Sequence, residues 1–177
     1  MGSSALEARL RAAIRSIDGH RDAWAVFEDA PLLAAVVEAL ADGLVPYRAT
    51  KVVAVESRGF LLGGAVAARL GLGFVAVRKP GSLFPGDKAA VTTAPDYRGN
   101  RTELRMLTRA VGPGDRVAMV DDWIEVGAQA LAVRELVESR GGEFLGLATM
   151  VDQASRAVAG AVPVLVGLVN GSTLDDG

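Results

Sequence analysis

The residues V-A-M-V-D-D-W-I-E-V-G-A-Q-A-L, running from Val117 to Leu131, open with four apolar side chains and close on a helical pattern. An apolar run of that length, followed by a loop and a helix, reads as a strand buried on both faces of a parallel sheet. Ligands of open α/β sheets sit beyond the carboxyl ends of such strands. Asp121 and Asp122 therefore stand where binding or chemistry is placed. The turn at Gly127 offers backbone N–H groups to an anion at the start of the next helix. Sugar hydroxyls on the carboxylates, with a phosphate on the turn, form one reading. A strand that ends in a solvated acidic turn is the other.

Working outward, the chain of 177 residues reads as one domain, 1–177, long enough to bury a sizeable core. Half of its residues are hydrophobic and 23% are charged, which suits a globular rather than a disordered chain. A net charge of −2 argues against nucleic acid as the partner. With no cysteine there are no disulfides and no thiolate chemistry, and a lone His20 excludes a histidine-rich metal site. No apolar run approaches the roughly 20 residues of a membrane span. Leu6, Leu10, Ala13, Ile14 and Ile17 are spaced for an amphipathic helix rather than a signal core. The expectation is a cytoplasmic protein with no membrane partner.

Taken in order, the chain alternates helices and strands. Ser4 to Ile17 reads as a helix capped by Ser3 or Ser4, and Gly19 to Asp29 reads as irregular but rich in recognition side chains. Pro31 opens a helix with Leu32, Leu33, Val36, Val37, Leu40 and Leu44 on one stripe. Lys51–Val55 is a buried strand, Phe60–Leu70 a small-residue helix closed by Gly71–Gly73, and Phe74–Val77 the next strand. From Gly81 to about Arg101 the apolar period stops, and a loop that long in a compact domain is usually functional or disordered. Thr102–Thr108 reads as a strand, Gly112–Asp115 as a turn, and the helix after Gly127 runs to Ser139. Strands over Phe144–Val151 and Val162–Val169 flank a helical stretch near Ala154–Ala159, and the tail from Asn170 is polar and frayed. Strands alternating with helices predict a doubly wound, mostly parallel sheet.

Three strand ends carry charged or chemically active residues: Glu56-Ser57-Arg58-Gly59, Arg78-Lys79-Pro80 and Asp121-Asp122. In a parallel sheet all three meet at one edge. Two cationic ends and one anionic end suit a ligand that carries both diphosphate and sugar hydroxyls. Each alone could be a solvated surface turn.

The segments V-V-A-V-E-S-R-G-F-L-L-G, G-L-G-F-V-A-V-R-K-P-G and V-G-P-G-D-R-V-A-M-V-D-D resemble adenine phosphoribosyltransferase in order and spacing. The likeness includes I-R-S-I-D at Ile14–Asp18 and V-F-E-D at Val26–Asp29, and so covers most of the chain. It implies the type I phosphoribosyltransferase fold, with a small N-terminal hood over about 1–30 and a mobile flap over about 81–101. It implies a reaction in which a nitrogenous base displaces diphosphate from phosphoribosyl diphosphate with Mg²⁺. On that likeness Asp121 and Asp122 hold the ribose hydroxyls, with Mg²⁺ near them but held mainly by substrate. Ser57, Arg58 and Gly59 bind the diphosphate after a cis Glu56-Ser57 bond, and Arg78 and Lys79 face the same group. Val26, Phe27 and Glu28 form one side of the base site, Gln153 the other, and the flap supplies Asp96 and Tyr97. Val126, Gly127, Ala128 and Gln129 surround the 5′-phosphate. Asp96, Glu125 and Arg58 are the candidate catalytic residues, and the family pairs as homodimers.

Several residues depart from that pattern. The family's A-T-G-G-T after the acidic pair is here Glu125-Val126-Gly127-Ala128-Gln129, which places a carboxylate where a phosphate dianion sits. Like charges a few ångströms apart cost on the order of a kcal/mol or more. A similar glycine-glutamine-alanine ending occurs in bacterial xanthine phosphoribosyltransferase. Glu125 also falls where hypoxanthine-guanine enzymes direct an acid at the purine N7, so it is equally a candidate acid or base. Glu28 stands in place of the family's arginine, and a carboxylate accepts where a guanidinium donates. Gln153 replaces an apolar residue. The expected activity is transfer to a purine-like base. A non-catalytic protein that senses phosphoribosyl diphosphate or a nucleotide is the alternative.

Overall fold

The computed structural model describes residues 3–18, 20–81, 83–95, 99–154 and 160–174. The chain begins with helix α1 (Ser3–Ala13), a hairpin of β1 (Arg15–Ile17) and β2 (His20–Asp22), a short α2 (Trp24–Glu28) and α3 (Ala30–Leu44). Next come β3 (Lys51–Val55), α4 (Arg58–Leu70), β4 (Gly73–Arg78), β5 (Lys88–Thr92) and β6 (Glu103–Leu107). The last part holds β7 (Arg116–Ile124), α5 (Ala128–Glu138), β8 (Glu143–Asp152) and β9 (Val164–Asn170). Seven strands form one sheet in the order β5-β6-β4-β3-β7-β8-β9. The pairs from β4 across to β9 are parallel, and β6 runs antiparallel to both β4 and β5.

The unbroken apolar runs of β3, β7 and β8 have the cause expected of them, since both faces of the sheet are covered. Val52, Ala118, Val120, Ala148 and Met150 face a core shared with Leu6 and Leu10 of α1, Val36 and Leu40 of α3, and Leu62 and Val66 of α4. Their neighbours Val53, Val55, Val117, Met119 and Leu147 face the other way, onto Val133, Leu136 and Val137 of α5. Burying each of the Val, Leu and Met side chains contributes about 1.5–3 kcal/mol. Asp29 caps α3, its carboxylate accepting from the Leu32 N–H at 3.0 Å. By length and composition the 18 residues Ala30–Tyr47 could cross a membrane. As folded, Leu32, Val36, Leu40, Ala41 and Leu44 are buried in the core.

Five expectations are corrected. The first helix stops at Ala13, and Ile17 lies in β1 with 53% of its surface exposed. Ile14 and Ile17 keep helical spacing, but only Ile14 is buried. The stretch from Gly19 to Asp29 contains β2 and α2 rather than irregular chain. Within the long loop, Lys88–Thr92 is a strand whose Ala89 and Val91 pack on the core while its neighbours face outward. Alanine carries so little hydropathy contrast that this period-2 signal was invisible. Strand β7 does not end at the acidic pair but continues to Ile124, with Asp121 opposite Thr149 and Trp123 opposite Val151. The tail is docked rather than frayed up to Leu174, which is 7% exposed. The Arg21 guanidinium donates to its carbonyl at 3.1 Å, and Arg11 donates to that of Thr173. The helical stretch expected near Ala154–Ala159 lies mostly outside the described residues.

Two glycines of α4 separate packing from propensity. A Cβ at Gly63 would meet Ala54 Cβ at 2.8 Å and Phe74 Cε2 at 3.1 Å, whereas one at Gly64 would meet nothing within 4 Å. Gly63→Val is expected to lower stability by about 1–3 kcal/mol through overpacking. Gly64→Ala should raise it by up to about 1 kcal/mol through helix propensity. Urea unfolding of the two variants reads both, and equal effects of the same sign would refute the direct helix–sheet contact.

Candidate active site

Strand β7 delivers Asp121 and Asp122 to one end of the sheet, and the helices that start there are brought close by missing side chains. A Cβ at Gly59 would lie 3.0 Å from Asp121 Oδ1, so a larger residue would push the start of α4 away from the carboxylates. The Glu56-Ser57 peptide is cis, as the family resemblance implied. Ser57 sits at the N-cap position of α4 without a side-chain cap bond, leaving its exposed hydroxyl available to a ligand. On the far side Gly127 adopts φ +65° and caps α5. The first turns of α4 and α5 thus present unpaired N–H groups and positive helix ends to the same space.

That space is an open cleft of about 720 Å³. It gathers Ser57, Arg58, Gly59, Lys79, Asp121, Asp122, Glu125, Val126, Gly127, Ala128, Gln129 and Gln153. Arg58 Nε lies 2.7 Å from Asp122 Oδ2, and its guanidinium stands 5.8 Å over the Trp24 ring. Asp122 is 6% exposed, and the same Oδ2 has no well-aligned hydrogen-bond donor among the described residues. Burial, and then the charge of Asp122 beside it, push the Asp121 carboxyl well above the ordinary carboxylate range. Its Oδ1 accepts from the Asp122 N–H at 3.0 Å, and Arg58 opposes part of the shift.

Other expected site residues are placed elsewhere. Val26 is fully buried in the core, Phe27 is packed partly against that core, and Glu28 is exposed at the end of α2. None of the three is among the residues that line the cleft. Arg78 does not line it either. Its Nε meets Glu56 Oε2 at 3.1 Å, one Nη donates to the Leu83 carbonyl at 3.0 Å, and its guanidinium covers the Phe84 ring at 5.8 Å. Glu56 also accepts from the Lys79 backbone N–H at 2.5 Å. Arg78 thereby ties the end of β3 to the start of the 81–101 segment. Asp96 and Tyr97 lie outside the described residues.

Residues not singled out for the site also line it. The hairpin carries Arg21 and the exposed His20 to the cleft, and α2 brings Trp24. Trp24 stacks tilted on Phe27 with ring centroids 5.5 Å apart, so the aromatic face in the cleft is the tryptophan's. The recognition-rich composition of G-H-R-D-A-W was the available signal. Trp123 also lines the cleft, and its indole N–H donates to Gln153 Oε1 at 3.1 Å.

Comparison with known proteins agrees with this geometry. Residues 23–168 match the phosphoribosyl transferase domain family. The adenine phosphoribosyltransferase of Streptomyces coelicolor is 40% identical over 146 residues, covering 78% of this chain and 79% of its own. A crystal structure of adenine phosphoribosyltransferase from Rhodothermus marinus superposes with a TM-score of 0.81 at 34% identity, covering 94% of this chain and 99% of that one. The Giardia lamblia enzyme complexed with 9-deazaadenine superposes at 0.78 with 28% identity, covering 96% and 98%. The sheet and its flanking helices are the type I phosphoribosyltransferase fold.

The raised Asp121 pKa has a measurable consequence. A carboxyl raised on folding contributes stability that is complete below its unfolded value near 3.8 and is lost as pH rises through the folded one. Asp121→Asn removes that ionisation and keeps an oxygen to accept from Asp122. Its melting temperature should exceed wild type at pH 8, with the gap closing toward pH 4. A variant less stable than wild type at pH 8 would refute the uncompensated burial.

Proposed function

Since this chain belongs to the phosphoribosyl transferase family and is a pentosyltransferase, we propose that it transfers ribose 5-phosphate from phosphoribosyl diphosphate to adenine and releases diphosphate. One observation carries the reading. The acidic pair of β7, the Ser57-Arg58-Gly59 turn and the N-terminal turn of α5 line a single cleft. Asp121 and Asp122 hold the ribose 2′- and 3′-hydroxyls, and the α5 turn from Val126 to Gln129 takes the 5′-phosphate. Ser57, Arg58, Gly59 and Lys79 meet the diphosphate. The curated relatives named for adenine support that base as the acceptor. The same proposal has the chain work as a cytoplasmic homodimer, one domain over 1–177, with residues 1–30 as hood and 81–101 as flap.

The donor set suits Mg²⁺ that arrives with substrate. Among the described residues no group of three His, Cys, Asp or Glu side chains forms an all-protein metal site, while Asp122 keeps a buried oxygen without a hydrogen bond. Mg²⁺ keeps waters and binds through one or two carboxylates plus substrate phosphates. Asp121 and Asp122 would be those carboxylates, and the bound ion would offset the charge of the diphosphate.

In the reaction the bond from C1′ to the diphosphate oxygen breaks, its electron pair leaving with diphosphate. Adenine N9 supplies the pair for the new bond, and its proton passes to a carboxylate. Glu125 lines the cleft for that role, and Asp96 is the flap's candidate. Positive charge develops at C1′, so holding the ribose and neutralising the leaving group are the main catalytic tasks. Arg58 must exchange Asp122 for the diphosphate as substrate enters.

A second reading, a non-catalytic sensor of phosphoribosyl diphosphate or a nucleotide, is favoured by Glu125. Its exposed carboxylate stands in the turn assigned to the phosphate dianion. Diphosphate release measured with phosphoribosyl diphosphate, Mg²⁺ and adenine, hypoxanthine, guanine or xanthine separates the two. Adenine should give the highest kcat/KM, and the double variant Asp121→Asn/Asp122→Asn should lower it about a hundredfold or more. Absence of release with every one of these bases, alongside thermal stabilisation by phosphoribosyl diphosphate, would establish the sensor.

A further inference from the structure

Gln153 is an exposed residue held at three points. Its backbone N–H donates to the Ile124 carbonyl at 2.9 Å, just past the acidic pair on the neighbouring strand. Its side-chain stem rests against Gly171, where a Cβ would lie 2.7 Å from Gln153 Cβ and 3.1 Å from Cγ. Its Oε1 accepts from the Trp123 indole N–H at 3.1 Å. Glutamine has considerable rotamer entropy, so an exposed one restrained in this way is pre-organised rather than merely solvated.

The indole contact also decides which way the amide faces. A tryptophan N–H can only donate, so the amide must turn its oxygen toward Trp123 and its NH₂ away. Among the described residues nothing accepts from that NH₂. Gln153 and Trp123 both line the cleft, so the amide is a fixed donor at its wall. We propose that Gln153 is a specificity residue that donates a hydrogen bond to an acceptor atom of the purine ring, and that Trp123 is the positioning residue that keeps the amide from flipping. This rests on the proposed transfer to a purine base and deepens it. The cleft also holds Glu125, an acceptor, so a base with an acceptor and a donor on neighbouring edges is complementary to this wall.

The flip is what makes Trp123 matter. With Trp123→Phe the ring packing is kept but the donor is lost, and the amide is free to present its oxygen to the ring acceptor. Gln153→Leu removes the donor outright. A neutral hydrogen bond to ligand corresponds to about a tenfold effect. Gln153→Leu should therefore raise KM for adenine about tenfold with KM for phosphoribosyl diphosphate unchanged, and Trp123→Phe should do the same severalfold. The double variant should be no worse than Gln153→Leu alone, because Trp123 acts through Gln153.

The atom contacted is found with 1-, 3- and 7-deazaadenine. The analogue lacking the contacted nitrogen should bind wild type and Gln153→Leu equally. The same comparisons are made by calorimetric binding of AMP, which reads the contact whether or not turnover occurs. A weakened AMP complex in Gln153→Leu without turnover by wild type would leave this inference standing and remove the transfer reading. Unchanged KM for adenine and unchanged AMP affinity in Gln153→Leu, or additive effects of the two substitutions, would overturn the inference.

Discussion

Two neighbouring carboxylates drawn into a folded chain repel each other and resist leaving water, and the cleft is arranged around that cost. Asp121 and Asp122 are held at one end of β7 with Arg58 as the nearest cation, 2.7 Å from Asp122. Because Arg58 opens α4, the ion pair draws the end of β3 and the helix after it onto β7. Gly59, directly after Arg58, leaves the 3.0 Å gap that this approach needs. A larger residue there or a missing Arg58 would strand a buried charge, which costs about 3–5 kcal/mol when one partner of a buried pair is removed. In the proposed reaction, ribose hydroxyls and a divalent ion would occupy these crowded carboxylates.

The same constraint explains why the cationic strand ends behave differently from one another. Lys79 lines the cleft, while Arg78, one residue earlier, is tied to Glu56, the Leu83 carbonyl and the Phe84 ring. Arg78 instead joins the turn after β3 to the segment that leaves β4. Trp24, and Trp123 with Gln153, line the same cleft as Lys79. Charged groups beside aromatic and amide groups in one cleft suit the proposed assembly of a nucleotide from its parts.

Most of the sheet could be read from the chain because β3, β7 and β8 are buried on both faces and show it as continuous apolar runs. The residues of the acidic pair and of the Glu56-Ser57-Arg58-Gly59 turn were likewise visible, since charge and glycine interrupt those runs abruptly. What escaped was short or ambiguous. Strand β5 hides its alternation in alanines, β1 keeps the spacing of the helix before it, and α2 has five residues, too few to show a period. Strand β7 runs past its acidic pair to Ile124, although Asp121, Asp122 and Trp123 look like a turn. Their pairing with β8 is a property of the sheet, not of the segment.

The sequence by itself determined the layered α/β architecture, the family resemblance and the convergence of the strand ends, because hydrophobic period and glycine placement act over a few neighbouring residues. Only the tertiary structure decided which side chains share the cleft. Phe27 supplies backing and Trp24 the face, Arg58 rests on Asp122, and Trp123 turns the amide of Gln153 thirty positions along the chain. These are choices between partners distant in sequence, made by packing and charge once the backbone has brought them together, and no local pattern encodes them.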